Sequence, residues 1–105
     1  MIMQPLATGG GGGTQHAAGN LIDVSGTSYK VTTGFKPASL TIACSEVSTQ
    51  TGNRPFMYSY RNGAVAINYD TGGTPFVSIA LNDDGFTITS TSSIEYITGG
   101  YTAFK

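Results

Sequence analysis

A turn signal between two alternating runs, in residues 56–69, constrains the fold of this chain more than any other feature. Asn62-Gly63 is the dipeptide that best tolerates the two positive-φ positions of a two-residue type I′ hairpin turn. Because this turn fixes the register, it predicts that the large side chains of both strands share one face. The sequence therefore predicts a β-hairpin, which we place at the centre of an all-β domain. The predicted face consists of Phe56, Tyr58, Tyr60, Val65, Ile67 and Tyr69.

Alternation with a period of two continues on both sides of this hairpin. It predicts an antiparallel β-sandwich of about eight short strands, and we find no helical pattern. A tight turn is predicted at residues 82–85, a loop at residues 45–55, and a turn at Gly99-Gly100. Besides the hairpin, strands are predicted at residues 21–24, 29–33, 38–44, 76–81, 93–98 and 101–105, and one more begins at Phe86.

The composition fits this fold and argues against several classes of protein. At 105 residues the chain has room for one domain, which can bury roughly two-thirds of its unfolded surface. Five basic and six acidic residues leave no electrostatic footprint for nucleic acid or anionic lipid. The N-terminus lacks the features of a signal peptide, and no segment reaches membrane-spanning length. We therefore expect a protein made in the cytoplasm, without membrane insertion.

Residues 1–19 are predicted to form an arm outside the domain, which then covers residues 20–105. The five consecutive glycines at positions 9–13 carry the largest backbone entropy and bury no side chain. Ordering them costs free energy that a monomer does not recover, so a neighbouring subunit is the expected partner of the arm. The candidate assembly residues are Met1, Ile2, Met3, Leu6, Gly9, Gly10, Gly11, Gly12 and Gly13.

Catalytic chemistry is not indicated by the residues of this sequence. His16 is the one histidine, and its place in the predicted arm makes it a poor base for a nucleophile. Asp83 and Asp84 offer oxygen atoms that suit calcium, but an Asx-rich tight turn needs no metal. Cys44 ends an alternating apolar run, which predicts a buried and inert thiol. We therefore expect no enzyme activity, no cofactor and no metal.

Two groups of residues are candidates for binding. Three tyrosines of the hairpin could form a platform for sugar rings, although the apolar side chains that share their face favour a place in the core. The predicted loop at residues 45–55 is the better candidate for surface contact, and an ordinary exposed connection is the alternative. The tyrosines are Tyr58, Tyr60 and Tyr69, and the loop residues are Gln50, Asn53 and Arg54.

Three short motifs occur in order along residues 20–105. They are Gly-Phe-Lys-Pro at residues 34–37, Asp-Gly-Phe at residues 84–86, and Tyr-x-Ala-Phe-Lys at residues 101–105. With these motifs the chain resembles the small β-sandwich modules of tailed-bacteriophage structural proteins, which are often found at the ends of tail fibres. The resemblance implies a noncatalytic virion protein of the tail fibre, the baseplate or a receptor-binding tip.

The same resemblance implies partners and a location. Other virion proteins and further copies of the chain are the expected partners, with a trimer favoured, and a host surface glycan is a further candidate. The protein would be made in the host bacterial cytoplasm and act in the virion. Two alternatives stay open, namely a phage head decoration protein that locks capsomers together with its N-terminal arm, and a small carbohydrate-binding, lectin-like module.

Overall fold

The computed structural model describes residues 15–21, 26–50, 52–69 and 75–105. Within these ranges it contains β-strands and no helix, and every strand pair is antiparallel. The all-β, antiparallel class that the sequence predicts is therefore confirmed. The eight strands are β1 (His16–Asn20), β2 (Gly26–Thr32), β3 (Ser39–Thr49), β4 (Gly52–Asn53), β5 (Phe56–Arg61), β6 (Ala64–Tyr69), β7 (Val77–Asn82) and β8 (Gly85–Phe104).

The hairpin of β5 and β6 has the predicted turn and the predicted register. Asn62 and Gly63 both adopt positive φ angles, of 51° and 85°. Tyr58 lies opposite Ile67, so the large side chains of both strands share one face. The turn dipeptide and the hydrophobic alternation thus specify the same pairing.

β8 connects the rest of the sheet, because it pairs with β1, β2, β3 and β7. The part of β8 that begins at Gly85 pairs with β2 and β7. The part that ends at Phe104 pairs with β1 and β3. One half of the sheet therefore has the order β1-β8-β3-β5-β6, and the other half consists of β2, β8 and β7. The short β4 pairs with the end of β3.

A corner in β8 separates these two halves. Ser90 is buried, and its hydroxyl donates to the Ser92 carbonyl and accepts from the Ser92 N–H. Gly26 and Ser28 of β2 pair with Ile94 and Thr89 of β8. The two residues of β2 are two positions apart and their partners in β8 are five positions apart, so extra residues of β8 bulge out of the ladder. Bulges of this kind bend a strand, and the serine hydroxyl supplies hydrogen bonds that the interrupted ladder does not.

The corner brings the two halves face to face, as two aromatic contacts show. Phe86 and Tyr101 both belong to β8, and their ring centroids lie 5.3 Å apart. A straight strand of that length would separate them by roughly 50 Å. The second contact joins Phe56 of β5 to Phe76, which precedes β7, with 6.3 Å between the centroids. Edge-to-face pairs of this type contribute about 0.5 to 1.5 kcal/mol beyond their burial.

The apolar core lies between the two halves. Full burial of a large aliphatic or aromatic side chain contributes about 1.5 to 3 kcal/mol, so these residues dominate the stability of the fold. Hydrogen bonds connect all eight strands into one sheet, and the finer description as a sandwich of two sheets stays a prediction. The most deeply buried large side chains are Leu21, Leu40, Ile42, Val47, Phe56, Phe86 and Ile88.

The position of the hairpin in the sheet differs from the prediction. It is not central, because β6 pairs only with β5 among the described residues and so forms an edge. Val65 shares the inward face with Ile67 but is 61% exposed, since it lies beside the turn on this edge strand. The sequence predicts the pairing of β5 with β6 but not which strands cover it.

Gly99 and Gly100 do not form the predicted turn. Both lie within β8, so the two short strands expected here are one long strand. A Cβ on Gly99 would lie 2.8 Å from the Cα of Cys44, and a Cβ on Gly100 would lie 2.9 Å from the carbonyl oxygen of Gly19. These glycines therefore allow the backbones of β3 and β1 to approach β8 closely.

Two predicted boundaries are also corrected. β3 continues to Thr49 because it pairs with β8, so much of the loop predicted at residues 45–55 is strand. β1 begins at His16, inside the predicted arm, because it pairs with the end of β8, and Ala17 packs on the core. The domain thus starts before residue 20. Residues 1–14 and the predicted strand residues 22–24 lie outside the described residues.

The buried face of the hairpin can be tested with Tyr58→Ala. Tyr58 is 4% exposed, so its truncation leaves a cavity and should lower the free energy of unfolding by about 3 to 5 kcal/mol. Val65→Ala is the matched control on the same face, and we expect it to cost less than about 0.5 kcal/mol. Urea denaturation measures both values. Equal effects of the two substitutions would contradict the assignment of the core.

Candidate functional site

One face of the larger half of the sheet points away from the core, and we call the part of it that lies before Cys44 in β3 and after Gly99 in β8 the outer face. The strand registers place its side chains in rows that cross β1, β8, β3, β5 and β6. All are exposed except Ser39 and Gly100, which are half-buried. The outer face consists of His16, Ala18, Asn20, Ser39, Thr41, Ala43, Met57, Ser59, Arg61, Ala64, Ala66, Asn68, Gly100, Thr102 and Phe104.

The side chains of the outer face are small and almost free of charge. Arg61 is the one residue of the set that belongs to the Lys, Arg, Asp and Glu group. Met57 and Phe104 add exposed apolar area, with 56% and 44% of their surface accessible. Surfaces depleted in charge and containing exposed Met and Phe side chains are typical of contacts between proteins. The outer face therefore has the composition of a contact surface.

Two open depressions lie on or beside the outer face. The first, of about 460 Å³, lies where β1, β8 and β3 meet, and Ala18, Thr41 and Gly100 line it. The second, of about 610 Å³, includes Met57 and Asn68. Both are shallow and lined mainly by small or apolar groups, so they can receive side chains of a partner but offer no enclosed site.

The predicted contact loop forms hydrogen bonds and ring contacts with the rest of the protein, while Gln50 and Asn53 are exposed. Asn53 accepts a hydrogen bond from the Val47 N–H through its Oδ1 atom, at 2.8 Å. The guanidinium of Arg54 lies 4.2 Å from the centroid of the Phe76 ring, a cation–π contact that packs Arg54 against the core. Gln50 is exposed in the turn after β3. Of the three predicted residues, Gln50 and Asn53 are thus exposed and Arg54 is half-buried.

The other predicted binding residues are placed as follows. Tyr58 is buried, and Tyr60 and Tyr69 pack partly buried on the core, which confirms the core interpretation over a sugar platform. His16 lies in β1 and stacks on Phe104, with 5.7 Å between the ring centroids. The candidate assembly residues of the arm lie outside the described residues.

A polar patch on β3 and β8 was not predicted from the sequence. Tyr96 is 46% exposed, and its hydroxyl donates to Oε2 of Glu46 at 3.0 Å. Ser48 donates to Oε1 of Glu95 at 2.9 Å. Glu46 raises the pKa of Tyr96 above its ordinary value, because the carboxylate binds the protonated phenol and repels the phenolate. Only the long-range pairing of β3 with β8 brings these residues together, so no local pattern could have revealed the patch.

The described residues do not form the arrangements that a metal site or a membrane-spanning helix needs. No group of three or more His, Cys, Asp or Glu side chains in these ranges is arranged to hold a metal ion. Asp84, in the turn whose oxygen atoms suit calcium, forms an ion pair with Lys30 at 3.4 Å. Across the same ranges there is no helix long and apolar enough to cross a membrane.

Comparison with family models, with curated proteins and with solved structures finds no match to this chain. The resemblance to phage structural modules therefore stays a prediction.

Cys44 is buried as predicted, and burial raises the pKa of its thiol to about 12. At pH 8 its thiolate is then on the order of a thousandfold scarcer than that of an ordinary cysteine. We expect a thiol reagent to label the native protein far more slowly than the same protein in denaturant. Absorbance of the released product measures both rates, and equally rapid labelling would show that Cys44 is accessible.

Proposed function

We propose that this chain is a noncatalytic structural protein of a bacteriophage virion, in the tail fibre, the baseplate or a receptor-binding tip, which acts by multimeric assembly and surface binding. The outer face is the observation that supports assembly. The setting in a virion comes from the sequence motifs that resemble phage modules.

The chemistry of the outer face favours contact with another protein surface. Two sheets that pack face to face lie about 10 Å apart when their side chains interdigitate, and small side chains allow this approach. Ala18, Thr41, Ala43 and Thr102 supply such small side chains around the first depression. Because Arg61 is the one formal charge of the face, desolvation costs little there.

The N-terminal arm is a second proposed contact. Its apolar residues Ile2, Met3 and Leu6 would anchor on a neighbouring subunit, and the glycines at positions 9–13 would let the backbone approach closely. The deletion that tests this should end at residue 14, because β1 begins at His16 and belongs to the sheet.

The test measures whether the protein is incorporated into phage particles. The chain with an epitope tag after Lys105 is expressed in cells that produce the phage, and particles are purified by density gradient. We expect the tag to sediment with particles, with immunogold label on the tail, and a chain lacking residues 1–14 to be incorporated several-fold less while keeping its circular dichroism spectrum. A full-length chain with Ile2, Met3 and Leu6 changed to Ser is the matched variant, because it keeps the length of the arm and removes its apolar anchors. We expect it to be incorporated as poorly as the shortened chain.

Each outcome of that experiment is informative. Tag that remains in the soluble fraction while particles form normally would overturn the proposal. Label on the head would replace the tail assignment with the head decoration alternative. Full incorporation without residues 1–14 would remove the arm from the proposal.

Binding of a glycan is the second candidate function, and Tyr96 is the observation that favours it. An exposed aromatic ring can stack on a sugar, and carboxylates beside it can accept hydrogen bonds from the sugar hydroxyls. Glu46 accepts a hydrogen bond from the Tyr96 hydroxyl, and Glu95, next to Tyr96 in β8, accepts one from Ser48. Titration with a panel of host surface oligosaccharides should shift the NMR signals of the Tyr96 ring, and Tyr96→Ala should abolish binding. Unchanged spectra at millimolar sugar would argue against this function.

A further inference from the structure

We propose that the edge of β6, which pairs only with β5 among the described residues, pairs with β6 of a second copy of this chain across a two-fold axis, so that two sheets join into one. The inference rests on the proposed function in that it names one contact of the assembly. It depends on the backbone and the composition of β6.

The register of the hairpin decides which main-chain groups of β6 point outward. Arg61 and Ala64 flank the two-residue turn and therefore exchange hydrogen bonds with each other. Bonded and non-bonded pairs alternate in an antiparallel ladder, so Ala66 and Asn68 also bond to β5. The remaining residues of β6 direct their N–H and C=O groups away from β5. They are Val65, Ile67 and Tyr69.

β6 lacks the features that normally protect such an edge. Folded proteins prevent edge pairing with charged residues, proline, bulges or very short strands. The six residues from Ala64 to Tyr69 include no charge and no proline, and their register with β5 is unbroken. Val65 is 61% exposed, and Ala64 and Ala66 are also exposed. A β-branched, uncharged edge of this length is a template for another strand.

The other edges of the described sheet are weaker than β6 or partly blocked, and β7 is blocked at one of its three outward-pointing residues, Val77. In β7 the outward-pointing groups of Val77 are occupied, because its N–H donates to the Tyr69 hydroxyl at 3.3 Å and its carbonyl accepts from that hydroxyl at 3.2 Å. β2 carries the charge of Lys30, which pairs with Asp84. β4 has only two residues, and β1 contains Gly19 and no β-branched residue.

The geometry of the sheet favours a second β6 over the other strands as the partner. β1 and β6 run in the same direction, because four antiparallel pairings separate them. Head-to-tail pairing of β1 from one copy with β6 of another would therefore be parallel, and a parallel pair is less stable per residue than an antiparallel one. A two-fold axis perpendicular to the sheet makes an antiparallel pair of two β6 strands. Centred on Ile67, this pairing places Val65 opposite the partner's Tyr69 and gives all three outward-pointing residues a partner.

Amide exchange measured by NMR tests the contact residue by residue. The full-length chain is compared at about 10 μM and at several hundred micromolar, since an edge contact is small and needs high concentration. We expect the amides of Val65 and Ile67 to exchange at least several-fold more slowly at the high concentration. The amides of Ala66 and Asn68 are the internal control, because β5 already protects them in the monomer. Unchanged exchange at Val65 and Ile67 would overturn the inference.

Val65→Pro is the matched variant, because it removes an outward N–H without removing a bond to β5. Sedimentation equilibrium should show a dimer for the wild-type chain, a dimer for the control Val65→Thr, and a monomer for Val65→Pro. Val65→Lys, which adds charge to the edge and keeps the N–H, should also be monomeric and covers the case in which Val65→Pro does not fold.

The sedimentation experiment distinguishes a failure of the β6 contact from a failure of the proposed virion function. A trimer, which the phage resemblance favours, would overturn two-fold pairing through β6 and leave the virion proposal intact. A dimer that persists in Val65→Lys would likewise overturn the β6 contact alone. A dimer lost in Val65→Lys supports the contact even if the protein is absent from particles.

Discussion

β8 forms hydrogen bonds along both of its edges, and the rest of the structure depends on those bonds. Four strands pair directly with β8, and β5, β6 and β4 reach it through β3. The corner near Ser90 lets one strand serve both halves of the sheet. Without it, Phe86 and Tyr101 would lie far apart, and the core between the halves would not close.

This arrangement also decides where a functional surface can lie. Folding the sheet on itself buries one face of each half and leaves the outer face of the larger half to solvent. The chain uses small, mostly uncharged residues there instead of the charged ones that solubility alone would favour. The edge strand β6 likewise contains no charged residue. The proposed contact with other protein surfaces accounts for both features.

The sequence predicts local pairing well and distant pairing poorly. Asn62-Gly63 and the alternation around it determine the β5–β6 register, because a two-residue turn leaves no freedom of register. The same holds for the tight turn before Gly85, which joins β7 to β8. Gly99 and Gly100 were misinterpreted because glycine marks both turns and close strand approach, and only the neighbouring backbones distinguish the two.

The candidate site also depends on distant strand pairing, which the sequence predicts poorly. Asn53 and Arg54 have the composition of a contact loop, but the first pairs with the end of β3 and accepts a hydrogen bond from Val47, and the second packs on the ring of Phe76. The rows of the outer face arise from five strands spread over most of the chain, so no single stretch displays them. Tyr96 and Glu46 meet for the same reason.

The central claim is that β8 folds back so that its two parts pack against each other. Nuclear Overhauser effects between the aromatic protons of Phe86 and Tyr101 test it most directly, because the two rings lie 5.3 Å apart between centroids. The structure predicts strong cross-peaks between them in the native protein and none in denaturant. Their absence from the native spectrum would mean that β8 is straight or that residues 93–98 and 101–105 form separate strands, and the fold described above would be wrong.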